Sequence, residues 1–248
     1  KRQDINQVIT GELGVKRWQV DAAVKLIDEG NTIPFIARYR KEVTGTLDDA
    51  QLRTLHERLM YLRNLEEKKE QVLASIEEQG KLTEELKKQI LAAETMVVVE
   101  DLYRPYRPKR RTRAMIAKEK GLEPLAALIT LQKAEKPIEV YAEEYVNLEK
   151  EVKSVKEAID GAKDIIAESV SDEADYRSWI RKATVQHGKV ISQAKDEKAE
   201  SVYEMYYDFE EPVTNLAGHR VLALNRGEKE KFLTAVSYTH LRAHETLA

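Results

Sequence analysis

Apolar residues recur every three or four positions along most of this chain, as they do on one face of an α-helix. The clearest example runs from Leu52 to Ile76, on both sides of the charged run LEEKKE. Gly80 then interrupts the pattern, Thr83 is placed to cap a new helix, and the apolar spacing resumes over residues 86–91. We therefore predict two antiparallel helices joined at GKLT.

The residues before this pair also carry helical signals. The apolar positions of VKRWQVDAAVKLI predict a first helix over residues 15–27, and Gly30 is placed to end it. Pro34 suits the first turn of a short helix. Thr46 is placed to cap the long helix, with Asp49 completing a capping box three residues later.

Two short helical patterns follow the pair. AMIAKEKG and LEPLAALITL predict a short helix, a turn at Gly121 and a second helix with Pro124 in its first turn. Together they form a helix-turn-helix-like unit within residues 101–132. Such a pair is often an ordinary packing unit in helical proteins, so both packing and DNA reading remain open as interpretations.

The C-terminal part has a different pattern. Helical spacing continues over residues 140–183, whereas RVLALNRGEKEKFLTA has two β-capable runs on either side of NRGE. Because Gly227 can adopt a positive φ, we predict a β-hairpin there. The predicted fold class is mainly α: a multi-helical array with a long antiparallel helical pair, a helix-turn-helix-like unit and a short β-hairpin near the C-terminus.

We predict three regions along the chain. Residues 1–200 form an N-terminal helical region, residues 201–235 begin a mixed segment, and residues 236–248 form a tail in which VSYTHLRAHET looks like one reading frame of a sequencing adapter. His240 and His244 in that tail are therefore not interpreted as a metal-binding pair. KRQDINQVIT contains no initiator methionine, so we expect the chain to begin inside a longer reading frame.

Composition narrows the classes of function. Charged residues make up 34% of the chain and aromatic residues 6%, a balance typical of helical proteins. The absence of cysteine excludes disulfides and thiolate metal sites and suits the cytoplasm. No apolar run approaches the roughly 20 residues that span a bilayer. Without a phosphate-binding glycine loop or a nucleophile–histidine–carboxylate pattern, we expect no catalysis, cofactor, metal or small-molecule substrate.

Positive charge is concentrated in one stretch of an acidic chain. Residues 101–120 contain eight Lys or Arg and two acids, a net charge of +6, so with −3 for the whole chain the remaining residues carry −9. Such a cluster can attract a polyanion, because distant acids are screened over about 8 Å at physiological salt. We predict that residues 103–118, the basic segment, bind nucleic acid.

The predicted contacts of the basic segment are of two kinds. Its cations could neutralise phosphates: Arg104, Arg107, Lys109, Arg110, Arg111, Arg113 and Lys118. Tyr103 and Tyr106 could stack on unpaired bases, while Pro105 and Pro108 would hold the chain extended. In the alternative interpretation, the tyrosines anchor the segment on the helical core and the arginines pair with acidic surface residues.

Two other stretches are candidates for nucleic-acid contact, FIARYRKEVTG, in which Arg38, Arg40 and Lys41 surround Tyr39, and NRGEKE, but for both the structural interpretation is favoured. In FIARYRKEVTG, the side chains of Phe35, Ile36 and Tyr39 look like core anchors. Arg38 or Arg40 could then form buried ion pairs. NRGEKE is interpreted as an ordinary turn.

Four blocks of the sequence, in their order and spacing, resemble the Tex family of bacterial S1-containing transcription accessory proteins: TIPFIARYRKEVTGTLDDAQLR, VEDLYRPYRPKRRTRAMIAKEKGLEPLA, DGAKDIIAE and HRVLALNRGEKE. The resemblance covers about residues 10–235. It implies a helical N-terminal region that precedes, in complete members, a ribonuclease-H-like domain, helix-hairpin-helix elements and an S1 domain.

The resemblance also implies a cytoplasmic protein of transcription or RNA metabolism that binds nucleic acid. We expect this region to bind RNA or DNA through backbone contacts and to scaffold the domains that follow. The alternative is a protein-interaction platform for RNA polymerase or the ribosomal machinery. A third interpretation is the non-catalytic part of a nuclease.

Overall fold

The structure, a computed structural model, describes residues 3–238. The chain divides into two compact units, the first ending at Arg110 and the second beginning at Arg111. The α-helices of the first unit are α1 (Ile5–Leu13), α2 (Arg17–Asp28), α3 (Ile33–Tyr39), α4 (Lys41–Thr44), α5 (Asp49–Glu78), α6 (Glu84–Ala92) and α7 (Met96–Tyr103). A 3₁₀ helix, Arg104–Tyr106, follows α7 directly.

The long helix α5 is the centre of the first unit. Its predicted apolar stripe is confirmed, since its first five leucines are buried and Leu73 is partly buried; the five are Leu52, Leu55, Leu59, Leu62 and Leu65. Helices α1, α2, α3, α6 and α7 all contact α5. The predicted helical pair is present, with a turn at Gly80, where φ is +68°, but its second member α6 has only nine residues.

The start of α5 differs from the prediction. Asp48 is the N-cap: its carboxylate accepts a hydrogen bond from the Gln51 backbone at 2.7 Å, and the Gln51 side chain accepts one from the Asp48 backbone at 3.0 Å. Thr46 cannot be the cap because its φ is +65°, whereas an N-cap residue has an extended backbone. Gly45 and Thr46 together form the left-handed turn after α4.

The second unit combines helices with a small sheet. Its helices are α8 (Arg113–Glu119), α9 (Glu123–Leu131), α10 (Ile138–Ala142), α11 (Val155–Asp172), α12 (Ala174–His187) and α13 (Gly218–Lys229). Its strands are β1 (Lys189–Ala194), β2 (Asp208–Pro212) and β3 (Leu233–Tyr238). They form an antiparallel sheet in the order β2–β1–β3, with Ile191 opposite both Glu210 and Val236.

The predicted helices around Gly121 are both present. Gly121 has a φ of +79°, and Pro124 lies in the first turn of α9. Both α8 and α9 pack against α11, where an added Cβ at Gly161 would overlap the Leu122 side chain. This packing is what an ordinary helical unit requires, and DNA reading by the pair stays a prediction.

The predicted β-structure near the C-terminus is confirmed and forms a three-stranded antiparallel sheet, but the hairpin predicted around NRGE is wrong. The first predicted run lies in α13, and only the second enters a strand, β3. Leu224 and Gly227, three residues apart, form the buried positions of α13. Gly227 is needed for space rather than for a positive φ, because an added Cβ would overlap the Leu233 side chain.

The sheet also begins earlier than the mixed pattern. Strand β1 precedes residue 201, and its buried Ser192 donates a hydrogen bond to the Tyr206 carbonyl at 2.8 Å. Val236–Tyr238, at the start of the predicted tail, belong to β3. The adapter origin of residues 236–248 stays a prediction, and His240 and His244 lie outside the described residues.

Candidate nucleic-acid interface

The first part of the basic segment is anchored on α5. Tyr103 ends α7, and its hydroxyl shares a hydrogen bond of 2.9 Å with the Ser75 hydroxyl. The Tyr106 carbonyl accepts a hydrogen bond of 2.9 Å from the Gln79 side-chain amide. Both tyrosine rings are partly buried against the core of the first unit. This arrangement corresponds to the anchoring interpretation, and base stacking by the two rings stays a prediction.

Cations already lie over the ring of Tyr103. Lys68 Nζ and the Arg107 guanidinium carbon are each 5.8 Å from the ring centroid. Both cations also form ion pairs with Glu100, and Lys68 Nζ is 2.8 Å from Glu100 Oε1. The charge of Arg107 is therefore partly compensated within the first unit.

The two prolines of the basic segment have different roles. Pro105 lies inside the 3₁₀ helix Arg104–Tyr106, so the prediction of an extended chain is wrong at that position. Its fixed φ suits a helical first turn as well as an extended strand. The backbone becomes extended at Arg107, with φ −63° and ψ 131°, and residues 108–112 have no regular structure.

In the second unit, the arginines of the segment make exposed ion pairs. Arg111 is 2.7 Å from Glu119, with side chains 69% and 58% exposed. Arg113 is 3.6 Å from Asp164 of α11, and its side chain is 85% exposed. Exposed pairs of this kind contribute only about 0.2–1 kcal/mol, so a phosphate can replace the carboxylate at little cost.

Two cations of the segment have no such partner among residues 3–238. Arg110 and Lys118 are exposed, and neither side chain makes a hydrogen bond or an ion pair with any residue of the described range 3–238. Arg104 and Lys109, by contrast, already have interaction partners. The available charge is therefore greatest at Arg110 and Lys118, which sequence composition alone could not distinguish from their neighbours.

The stretch FIARYRKEVTG differs from its predicted role. Ile36 is fully buried as expected, but Tyr39 is 60% exposed and its ring lies 5.2 Å from that of Phe35. Arg38 and Arg40 are also exposed, so the predicted buried ion pairs are wrong. The reason is the short α3, which ends at Tyr39: Ile36 fills the core position, while Phe35 and Tyr39 pair at i and i+4 along its outer side. The i, i+4 spacing of Phe35 and Tyr39 is the feature of the sequence that could have predicted this pairing.

Comparison with known proteins identifies the family. Residues 3–77 match the family model of the Tex-like protein N-terminal domain, and residues 132–245 match that of the Tex central region. The chain belongs to the Tex family. The basic segment of this Tex-family chain lies between the two matched stretches.

Relatives of this Tex-family chain are similar to it over nearly all of its length. Transcriptional accessory protein Tex of Neisseria gonorrhoeae is 45% identical over 233 residues, which cover 93% of this chain and 30% of the relative. Protein tex of Bordetella pertussis is 48% identical over 224 residues, which cover 90% of this chain and 28% of the relative. S1 RNA-binding domain-containing protein 1 of Pongo abelii is 31% identical over 241 residues, which cover 93% of this chain and 24% of the relative. The chain thus spans less than a third of these relatives.

Two further features are absent from residues 3–238 of this Tex-family chain. No helix in that range is both long enough and apolar enough to cross a membrane. The same residues contain no group of three His, Asp or Glu side chains placed to hold a metal ion.

Proposed function

We propose that this Tex-family region binds RNA or DNA through phosphate contacts of the basic segment, while its helical units scaffold neighbouring domains. The observation that carries the proposal is the exposure of Arg110 and Lys118 without partners in residues 3–238. Arg111 and Arg113 supplement them, since their ion pairs are open to solvent. The names of the relatives support it, because they describe transcription accessory and S1 RNA-binding proteins. Contacts of this kind hold the backbone and do not read sequence.

The test is the salt dependence of binding. We expect the variant Arg110→Glu with Lys118→Glu to bind duplex DNA more weakly than the parent. The negative slope of log Kobs against log salt should also become shallower by roughly 1.8, because each phosphate contact contributes about −0.9. Fluorescence anisotropy with a labelled duplex, titrated at several salt concentrations, measures both quantities.

A matched control carries the same change of charge elsewhere. Lys133→Glu with Lys136→Glu alters two exposed lysines of the second unit outside the basic segment, and we expect it to retain the parental slope. Equal slopes for the two double variants would reject the segment as the binding site and favour a protein-interaction platform. We also propose that the chain is not an enzyme; cleavage of the same duplex that requires a divalent metal would contradict this.

A further inference from the structure

A second surface of the first unit exposes basic and aromatic side chains together. Helices α3 and α4 meet at Arg40, and the side chains of the consecutive residues 38–41 are all exposed. Beside them lies an open concavity of about 550 Å³, whose lining includes Phe35, Arg38, Tyr39 and Lys41. We call Phe35 and residues 38–41 the α3–α4 patch.

The aromatic part of the patch is a supported ring that faces solvent. Tyr39 is 60% exposed, although a ring of this size usually buries most of its surface in a folded protein. It is supported from one side by Phe35, whose ring centroid is 5.2 Å away. Arg40 in turn lies 5.0 Å from the Phe35 centroid and donates a hydrogen bond to the Tyr39 carbonyl at 3.0 Å. Tyr39 is thus held in place with its ring still accessible.

The charged part of the patch is available to an anion. Arg38 and Lys41 make no side-chain hydrogen bond or ion pair with the residues that the structure describes. Asp49 also lines the concavity, but its carboxylate is 2.8 Å from Arg53 Nε and is therefore already paired. Glu42 is the acid next in sequence, so residues 38–42 keep a net charge of +2.

We propose that the α3–α4 patch binds single-stranded nucleic acid, with one base stacked on Tyr39 and neighbouring phosphates on Arg38 and Lys41. An exposed aromatic ring beside cations is the combination by which proteins hold unpaired strands, because every base has a face that can stack. The bases of a duplex are already stacked on each other, so the patch distinguishes single strands from duplexes. This property goes beyond the phosphate contacts proposed for the basic segment and uses different residues.

The test compares Tyr39→Ala with Tyr39→Phe in the 248-residue chain. For a labelled oligothymidylate, we expect Tyr39→Ala to weaken binding by about 5- to 150-fold, the usual effect of removing one stacked base, and Tyr39→Phe to retain parental binding. Binding of a duplex should be unchanged in both variants. Tyr176→Ala is the matched control, because Tyr176 is 53% exposed on α12 in the second unit. Circular dichroism melting confirms that each variant is folded.

Three results would overturn the proposal: no binding of oligothymidylate by the parent, parental single-strand binding by Tyr39→Ala, or an equal loss for duplex and single strand. The second result is also the one expected if the patch docks a protein. The basic-segment variant Arg110→Glu with Lys118→Glu separates this proposal from the proposed function. If it leaves duplex binding intact while Tyr39→Ala loses single-strand binding, the proposed function fails and the α3–α4 patch stands.

Discussion

At the scale of single residues, the most unusual side chain is the buried Lys69. It lies on α5 within the charged run LEEKKE and is only 1% exposed. Its Nζ is 3.1 Å from Glu66 Oε1 and donates a hydrogen bond to the Leu91 carbonyl at 3.0 Å. That carbonyl belongs to the last turn of α6, where helical carbonyls lack partners within the helix and favour a cation. Lys69 therefore ties α5 to the end of α6.

We expect Lys69→Met to lower the free energy of unfolding by about 3–5 kcal/mol, because it leaves Glu66 buried without its cation. Adding Glu66→Leu should restore most of the loss, since an apolar pair then replaces the ionic one. Urea denaturation followed by circular dichroism measures both. Lys87→Met, at an exposed position of α6, is the control, with an expected change within about 0.5 kcal/mol. The buried pair would have no special role if Lys69→Met cost no more than this control.

At the residue scale, the sequence predicts the buried leucines of α5 but gives no prediction for this lysine. A leucine at helical spacing has one favourable place, the core, so the stripe of α5 could be predicted from period alone. Glu66 and Lys69, three residues apart, have the same spacing as a solvent-exposed ion pair. Their burial depends on the end of α6, where the Leu91 carbonyl lies 22 residues beyond Lys69 in the sequence. Local pattern carries no information about that contact.

At the scale of secondary-structure elements, two bidentate ion pairs connect neighbouring helices to α5. Arg58 of α5 contacts Glu12 of α1 at 2.6 and 2.7 Å. Arg63 of α5 contacts Asp28 of α2 at 2.7 and 2.8 Å. Hydrogen bonds from these arginines lower the pKa of Glu12 and of Asp28 below their ordinary values of 4.5 and 3.8. Both pairs therefore stabilise the fold only while the carboxylates are ionised.

This arrangement predicts a pH-dependent contribution to stability. A carboxyl whose pKa is lowered on folding contributes fully above its unfolded pKa and loses that contribution as the pH falls through the folded value. We expect Arg58→Gln with Arg63→Gln to be less stable than the parent by about 0.4–2 kcal/mol at neutral pH. The difference should shrink as the pH falls below about 4.5 and vanish in stronger acid. Thermal melts of both proteins across this range measure it.

The control for the pH experiment is Arg53→Gln, which removes an exposed i,i+4 pair with Asp49 on α5 itself. Since that pair joins no second helix, we expect a smaller loss at neutral pH. A stability difference between parent and double variant that stayed constant from neutral to acidic pH would contradict the role given to Glu12 and Asp28.

The type of a secondary-structure element could be predicted from the sequence where a residue meets a purely local conformational requirement. Gly121 and Pro124 marked the turn and the start of α9, because a positive φ and a first-turn proline are local requirements. Gly227 misled the prediction for the opposite reason. Its small size serves a tertiary contact with Leu233 rather than a turn, and that contact depends on how α13 packs against β3.

At the scale of the whole molecule, the division between the two units falls inside the basic segment. Residues 108–112 have no regular structure and contain Lys109, Arg110 and Arg111. Irregular exposed backbone between compact units is where proteases cut first. We expect limited trypsin digestion to cleave first at these residues, giving two resistant fragments that mass spectrometry would place on either side of the cut.

The same digestion, repeated with nucleic acid present, compares cleavage in the basic segment with cleavage elsewhere in the chain. Bound nucleic acid should slow this cleavage if the basic segment contacts phosphates, and should leave cleavage near Lys195 and Lys198 unchanged. The backbone of α5 and α11 is helical. A first cut within either helix would mean that the boundary at Arg110 does not separate two stable units.

The candidate interface was predictable in composition but not in detail. The excess of Lys and Arg over residues 101–120 is a property of the sequence. Which of them are compensated depends on Glu100 and Asp164, from α7 and α11, and these partners become neighbours only in the folded units. The exposure of Tyr39 likewise depends on tertiary structure, because α3 ends at Tyr39 and Ile36 occupies the core position of that helix.

The anchoring of Tyr103 and Tyr106 also affects the entropy of binding. A free basic loop must lose backbone and side-chain freedom when it binds, at a cost of roughly 1–2 kcal/mol per ordered residue. Ser75 and Gln79 already fix the start of this segment in the unbound protein, so residues 103–106 have little freedom left to lose. The two tyrosines can thus raise affinity without contacting the ligand at all.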